Sequence, residues 1–220
     1  VLSRFPIKTV KNWVGTKLDA PRPEKETGRP DPKAGEAMEF ARSPLFVEVE
    51  VPAEKAGGKA YTLSLIVLHH KSGRNFGERR EAEARKVVEF YKELEKEQPG
   101  RNIAICGDFN ATPDSDSIKV YTDAGLIDAF AGRAKASSSD RTWMTHASNR
   151  VFDYIFVSPE LAPEMVRGSE FVLATPSRAP GSDYRRTPEP AGYASDHMPI
   201  AIDITPKEAQ PASPAAPSTN

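Results

Sequence analysis

The chain has 220 residues, enough for one domain with a sizeable core and too few for two full enzymatic domains. Its 38% hydrophobic and 28% charged residues are those of a folded globular protein, and a net charge of −1 with a pI near 6.5 excludes a polybasic binder, so any phosphate must be held by a local cluster of groups. One cysteine, Cys106, excludes an internal disulfide and a cysteine-rich zinc module, and no apolar run approaches the roughly 18 residues of a membrane span, so no integral membrane segment is expected.

The chain opens at Val1 in a strand-like segment, with neither a methionine nor a basic-then-apolar leader, so a preceding segment is expected. Residues 15–44 carry Pro21, Pro23, Pro30, Pro32 and Pro44 among alternating charges and predict a long surface loop with neither helix nor strand. Leu45 to Val51 then approximates the alternation of a half-buried strand. Gly57-Gly58 supplies a turn, and Tyr61 to His69 is a more continuous apolar run, fitting a strand buried on both faces. Ala84, Val87, Val88, Tyr91 and Leu94 fall at helical spacing within Glu78–Glu97, ended by Pro99-Gly100. Asn102 to Cys106 predicts a short buried strand, and the Pro113 to Ser117 cluster a turn capping a second helix that stops near Gly125. Further strands are predicted at Val151–Val157, Phe171–Ala174 and Pro199–Ile204, with a Pro, Gly and Arg-rich loop over 175–194. An Ala/Pro/Ser tail over 207–220 is expected to be disordered. Strands alternating with helices and ending in polar loops predict a single α/β domain over 1–206 with its chemistry at the strand ends.

Those strand ends carry Leu68-His69-His70-Lys71-Ser72, Gly107-Asp108-Phe109-Asn110 and Ser195-Asp196-His197, and Asp153-Tyr154 opens a fourth strand. One by one, such groups have ordinary roles: a strand-end histidine is usually a satisfied hydrogen-bonding residue, an Asp after Gly a turn residue, an Asp-His pair a local bond. Together they match what phosphoester hydrolysis requires, namely a hard cation, oxygen ligands for it, an oriented water, and donors for the non-bridging oxygens. Asp108, Asn110 and Asp196 supply oxygens, His69 and His197 supply donors, and Asp153 is suited to fix the tautomer of His197. Lys71, Arg74, Arg79 and Arg80, with Arg178, Arg185 and Arg186, form either a basic rim for a polyanion or a solvated charged surface.

In this order, His-x-Lys-Ser, Gly-Asp-Phe-Asn, Asp-Tyr-Ile-Phe-Val-Ser and Ser-Asp-His-x-Pro resemble the endonuclease/exonuclease/phosphatase superfamily. The resemblance runs over about Val1 to Thr205, weakly over 15–41 and not into the tail. It implies two packed mixed β-sheets flanked by helices, the deoxyribonuclease-like four-layer sandwich, and a metal-dependent phosphoester hydrolase using magnesium, with manganese or calcium as alternatives. By the same resemblance Asp108 orients the attacking water, Asn110 positions the scissile phosphate beside the metal, and Asp196 belongs to the metal site with Asp108 and Asn110. His197, buttressed by Asp153, and His69 contact phosphate oxygens and move protons, while Arg42 reaches a phosphate or forms a surface ion pair. His70 occupies a variable slot facing away; His146, Lys71 and Ser72 are weaker candidates, for each of which a core or loop role is expected. The family begins with an Asn-bearing strand and a strand ending in Gln-Glu, and this chain opens after both; Glu36, Glu39, Glu48 and Glu50 do not stand in that context. The expectation is therefore an N-terminally incomplete domain, feeble or inactive by itself, whose missing segment supplies a metal-ligand glutamate. The expected substrate is DNA or RNA. The alternatives are a phosphatase, a phospholipid or small-molecule phosphodiesterase, or a non-catalytic binding protein, and the expected location is a secreted or periplasmic bacterial one.

Overall fold

The computed structural model describes residues 1–26, 28–131, 142–179, 181–183 and 186–207. Regular structure begins with β1 (Ile7–Asn12), an exposed strand whose lysines and threonine hid it from an apolar-periodicity reading. The proline-rich stretch then forms β2 (Lys17–Pro21), β3 (Lys25–Glu26), β4 (Arg29–Pro30) and β5 (Ala37–Glu39), with β2 paired to β5 and β3 to β4. This corrects the expectation of an unstructured loop. Pro21 and Pro30 close their strands, and in two-stranded pairs every strand is an edge, where a missing N–H costs no ladder bond. Leu18 and Met38 pin the β2–β5 pair onto Ala82 of the helix described next.

β6 (Leu45–Val51) and β7 (Tyr61–His69) form an antiparallel pair in register from Leu45↔Val67 to Val51↔Tyr61, with Gly57 and Gly58 both at positive φ in the connection. Helix α1 (Gly77–Glu97) buries Ala84, Val87, Val88, Tyr91 and Leu94, the stripe its spacing predicts. It is the crossover that a parallel neighbour requires, and it delivers β8 (Ile103–Asp108) alongside β7. The parallel ladder carries β8 two residues past the predicted Cys106, which brings Asp108 into the sheet. Helix α2 (Asp116–Asp123) follows a Ser115 N-cap, and then come β9 (Ile127–Asp128), β10 (Asp153–Val157), β11 (Phe171–Val172) and β12 (Ile200–Ala201). The last two strands are shorter than predicted.

The main sheet has six strands in the order β1-β6-β7-β8-β10-β9. One face packs Phe46, Ile66, Ile103, Ile105 and Phe156 against Val87, Tyr91 and Leu94 of α1 and Ile118 and Tyr121 of α2. The opposite face buries Ala104 and Val157 under Leu161, Met165, Ile202 and Ile204. A second, two-stranded sheet, β11–β12, belongs to that other layer, extended by a single bridge between Met165 and Ile204. The architecture is thus the mixed α/β class expected, with most of its strands in one large sheet. No helix of the described residues is long and apolar enough to cross a membrane. Residues 208–220 of the tail, and Arg185 of the basic run, lie outside the described residues.

Candidate active site

Strand register brings the site together. The β7–β8 ladder sets His69 opposite Asp108, and the β8–β10 ladder sets Asp153 opposite the same Asp108. Directly opposed residues share a face of a sheet, so three side chains from three distant segments stand in one row at the carboxyl end of the parallel pair. His69 Nε2 lies 3.3 Å from Asp108 Oδ2.

The turn after β8 holds Asp108 and Asn110 in fixed relation. Phe109 points into the core, fully buried between His70, Tyr121, Tyr154 and Phe156. Asn110 then takes a left-handed conformation at φ 49, which asparagine tolerates better than most residues. Its N–H donates to Asp108 Oδ1 at 2.8 Å, and its Nδ2 donates to Asp108 Oδ2 at 2.9 Å and to the His70 carbonyl at 3.1 Å. With both amide protons directed, Oδ1 is the group Asn110 offers a cation. Gly107, immediately upstream at φ 139, has no room for a side chain: a Cβ there would meet the Leu68 carbonyl oxygen at 2.0 Å.

His197 arrives from the other layer. Its Nδ1 lies 2.9 Å from Asp153 Oδ2 and 3.1 Å from Oδ1, and its Nε2 lies 3.7 Å from Asp108 Oδ2. A turn over 145–150 holds the segment in place, because Ala147 N–H donates to the Asp196 carbonyl and Met198 N–H to the Thr145 carbonyl. His146, on that turn, packs edge-on against His197 with ring centroids 4.7 Å apart and places its Nε2 3.3 Å from Asp196 Oδ2. Arg42 NH1 sits 3.5 Å from the same His70 carbonyl that Asn110 bonds.

Electrostatics differentiate the two imidazoles. Burial is the main cause that holds His69 below its ordinary pKa, against the pull of Asp108, so its ring is neutral near pH 7. The hydrogen bond to Asp153 is the main cause that raises His197. Burial likewise pushes Asp108 up, opposed by the Asn110 N–H and by His197.

Asp108, Asp153 and His197 form one group whose ligand atoms lie within 4.8 Å of one another; His146, Asp196 and His197 form a second. Hard carboxylate and amide oxygens with flanking imidazole suit a divalent cation that keeps several waters. Asp196, expected in one metal site with Asp108, thus stands in the other group, joined to the first through His197, and its side chain is 57% exposed. Glu39 pairs with Lys17, Glu48 with Arg101 and Glu50 with Lys8; none of them joins either group among the described residues.

Sequence reading missed two contributors. His146 carries no motif, and only the pairing of its turn with 195–198 reveals it. His70 is fully buried, with Nδ1 3.2 Å from Glu83 Oε2 and Nε2 2.7 Å from the Tyr121 hydroxyl. Glu83 in turn accepts the N–H groups of Ala41 and Lys71 at 2.9 and 2.8 Å, tying the segment before Arg42 to the segment after His69. The i, i+4 place of Glu83 on the core side of Arg79 was the one signal available.

With that geometry established, the model of the Endonuclease/Exonuclease/phosphatase family matches residues 1–197. No curated protein matches the chain. Among solved structures, truncated TDP2 of Caenorhabditis elegans aligns at 15% identity with a TM-score of 0.51, covering 89% of this chain and 64% of that one. The human Nocturnin catalytic domain with bound sulfate aligns at 16% identity and 0.44, covering 91% and 61%. A mannosyl-6-phosphatase of Bacteroides thetaiotaomicron aligns at 19% and 0.48, covering 76% and 59%. The chain thus spans about 59–64% of the length of these structures.

Proposed function

This chain belongs to the endonuclease/exonuclease/phosphatase family, and from that premise we propose that it is a metal-dependent phosphoester hydrolase acting on the phosphodiester bonds of DNA or RNA. The observation that carries the reading is the row His69–Asp108–Asp153, fixed by strand register, with His197 bonded to Asp153 and facing Asp108. Asp108 and Asp153, whose ligand atoms cluster, together with Asn110 Oδ1 are the residues that would hold a divalent ion, while Asp196, expected beside Asp108, stands in the neighbouring group with His146 and His197. Bound there, magnesium or manganese would neutralise phosphate charge and lower the pKa of a coordinated water.

The side chains supply the rest. Asp108, whose affinity for a proton is raised by burial, accepts one from the attacking water and orients it. His197 holds its Nδ1 proton against Asp153, which favours the protonated ring and turns Nε2–H toward the phosphate, where the imidazolium donates that proton to an oxygen on which negative charge develops. His69, a neutral donor, and Arg42 serve the remaining phosphate oxygens. Asn110 cannot drift, because Asp108 and the His70 carbonyl hold both its amide protons.

The test compares turnover of plasmid DNA, RNA, sphingomyelin and bis-p-nitrophenyl phosphate with magnesium or manganese, before and after chelation. Metal-dependent cleavage with nucleic acid preferred is expected. Cleavage only of sphingomyelin or of a small phosphoester would overturn the substrate assignment, and cleavage left unchanged by chelation and by Asp108→Asn would overturn the metal-dependent hydrolase reading of this row.

A further inference from the structure

Next to Asn110 a second cleft of about 360 Å³ opens between the loop after His69, the turn after Asn110 and the turn at 145–150. Its walls carry Arg74, Arg80 and Arg150 together with Asn110, Thr112 and Ser115, and no carboxylate lines it among the described residues. The charges differ in what holds them. Arg80 is buried and gives NH1 to the carbonyls of Lys71 and Gly73 at 3.1 and 2.7 Å, so dipoles rather than a carboxylate take its protons and its charge stays at the floor of the cleft. Arg74 and Arg150 are exposed, and among the described residues their side chains form no ion pair or hydrogen bond. Each follows a residue at positive φ, Gly73 at 108 and Asn149 at 59, in a turn fixed from below. Asp114, the acid nearest in sequence, is bonded by the Thr112 hydroxyl.

Other basic residues around the site are already engaged. Arg79 gives NH2 to the Glu39 carbonyl and lies beside Glu83, Lys71 sits over the Phe76 ring, and Arg178 bonds Glu189. The larger cleft, of about 630 Å³ beside Pro21 and Pro23, carries Glu78 and Glu81 among its arginines and has no bias toward an anion. The cleft at Arg74 and Arg150 has that bias, and it shares Asn110, in the turn after Asp108, with the candidate active site.

Resting on the phosphoester reading above, we infer that this cleft is a subsite for a second phosphate of the same substrate, the one next to the scissile phosphate on a polynucleotide backbone. Arg74 and Arg150 grip its oxygens from opposite walls, Ser115 offers a hydroxyl donor, and Arg80 supplies fixed positive charge underneath. A substrate with one phosphate leaves the cleft empty, which makes the site selective for chains over small esters.

The test reads binding as well as turnover. Arg74→Ala, Arg150→Ala and the double substitution are made in the full chain, and affinity for a short fluorescent oligothymidylate is measured by anisotropy over a range of salt. Each single change is expected to weaken binding by roughly tenfold or more, as loss of a charged hydrogen bond does. Each should also flatten the slope of log K against log salt by about 1. Turnover of bis-p-nitrophenyl phosphate should not change. An oligonucleotide affinity and salt slope in the double variant equal to wild type would overturn the subsite whether or not the chain is a hydrolase, and so would failure of the wild type to bind the oligonucleotide. Equal losses on the one-phosphate substrate would place the arginines on the scissile phosphate and likewise overturn it. Normal, arginine-dependent binding with no hydrolysis of any phosphoester would instead leave the subsite standing and defeat the catalytic reading.

Discussion

Asp153 illustrates how one residue's value depends on its neighbours. Strand pairing puts its carboxylate beside that of Asp108, a like-charge arrangement that an unpaired sheet position would avoid, and the His197 ring offsets it by bonding Asp153 through Nδ1. Asp153→Asn keeps the shape but removes the acceptor that fixes the tautomer, so Nε2 no longer faces the phosphate in the right protonation state. Hydrolysis at neutral pH is expected to fall by roughly 10²–10⁴-fold, the range for losing an acid–base group, with folding intact. His197→Ala should cost about as much, and the double variant little more, because the pair acts as a unit. Initial rates for the three variants measure this, and losses that multiply would show that the two residues act separately. In the sequence Asp153 was recognisable only as the first residue of a strand; that it faces Asp108 depends on which strand pairs with which, and no local pattern states that.

At the level of elements, the site depends on β7 and β8 lying close and on the segments after them being tied down. Gly107 lets β8 pass Leu68, and a methyl there would meet the Leu68 oxygen at 2.0 Å in a backbone conformation that side chains rarely adopt. Gly107→Ala is therefore expected to destabilise the fold by roughly 2–5 kcal/mol from strain and overpacking together. Thermal unfolding should drop by about 2–4 °C for each kcal/mol in a chain of this size, and an unchanged midpoint would show that the two strands separate easily. Glu83 makes the second tie. Burial pushes its carboxyl up, but the His70 ring and the N–H groups of Ala41 and Lys71 outweigh that and leave it below its ordinary value of 4.5. A carboxyl with its folded pKa below the unfolded one stabilises fully above about pH 4.5, and that contribution disappears as pH falls through the folded value. Melting temperature measured against pH should fall steeply across that acid range in the wild type and more gently in Glu83→Gln, which starts lower at neutral pH; parallel curves would remove Glu83 from the account. β6 and α1 were legible because each buries one stripe, and β7 because its run is largely apolar, although it buries Ser64, Ile66 and Leu68 while Leu63, Leu65 and Val67 are half-buried, so the expected burial of both faces is incomplete. β1 and the small pairs at 17–39 were not, since their stability comes from a neighbour and their own apolar content is slight.

For the molecule as a whole, two layers meet at the site: the large sheet contributes His69, Asp108 and Asp153, and the segment leading to β12 contributes Asp196 and His197. The motifs and their order were readable from the sequence, because a strand end must be polar where it meets a ligand. Their separation into two neighbouring groups sharing His197 was not, because it depends on how the 145–150 turn docks on the 195–198 segment. This arrangement gathers three carboxylates, Asp108, Asp153 and Asp196, around three imidazoles, His69, His146 and His197, with Arg42 as the nearby fixed cation, so a divalent ion should relieve repulsion among the carboxylates. Magnesium or manganese is then expected to stabilise the folded chain by about 1.4 kcal/mol when present at roughly ten times its dissociation constant, since stabilisation follows RT ln(1 + [L]/Kd). That corresponds to a rise of roughly 3–6 °C in melting temperature. Because two carboxylates and one amide are a modest set of oxygen ligands, the concentration needed should be high, and turnover by these residues alone correspondingly slow. Asp108→Asn should abolish the shift, whereas Glu50→Gln, which alters a carboxylate paired with Lys8 on the outer strands, should leave it intact. A metal-induced rise of equal size in wild type and Asp108→Asn would locate the ion elsewhere and detach the cation from the chemistry proposed for this row.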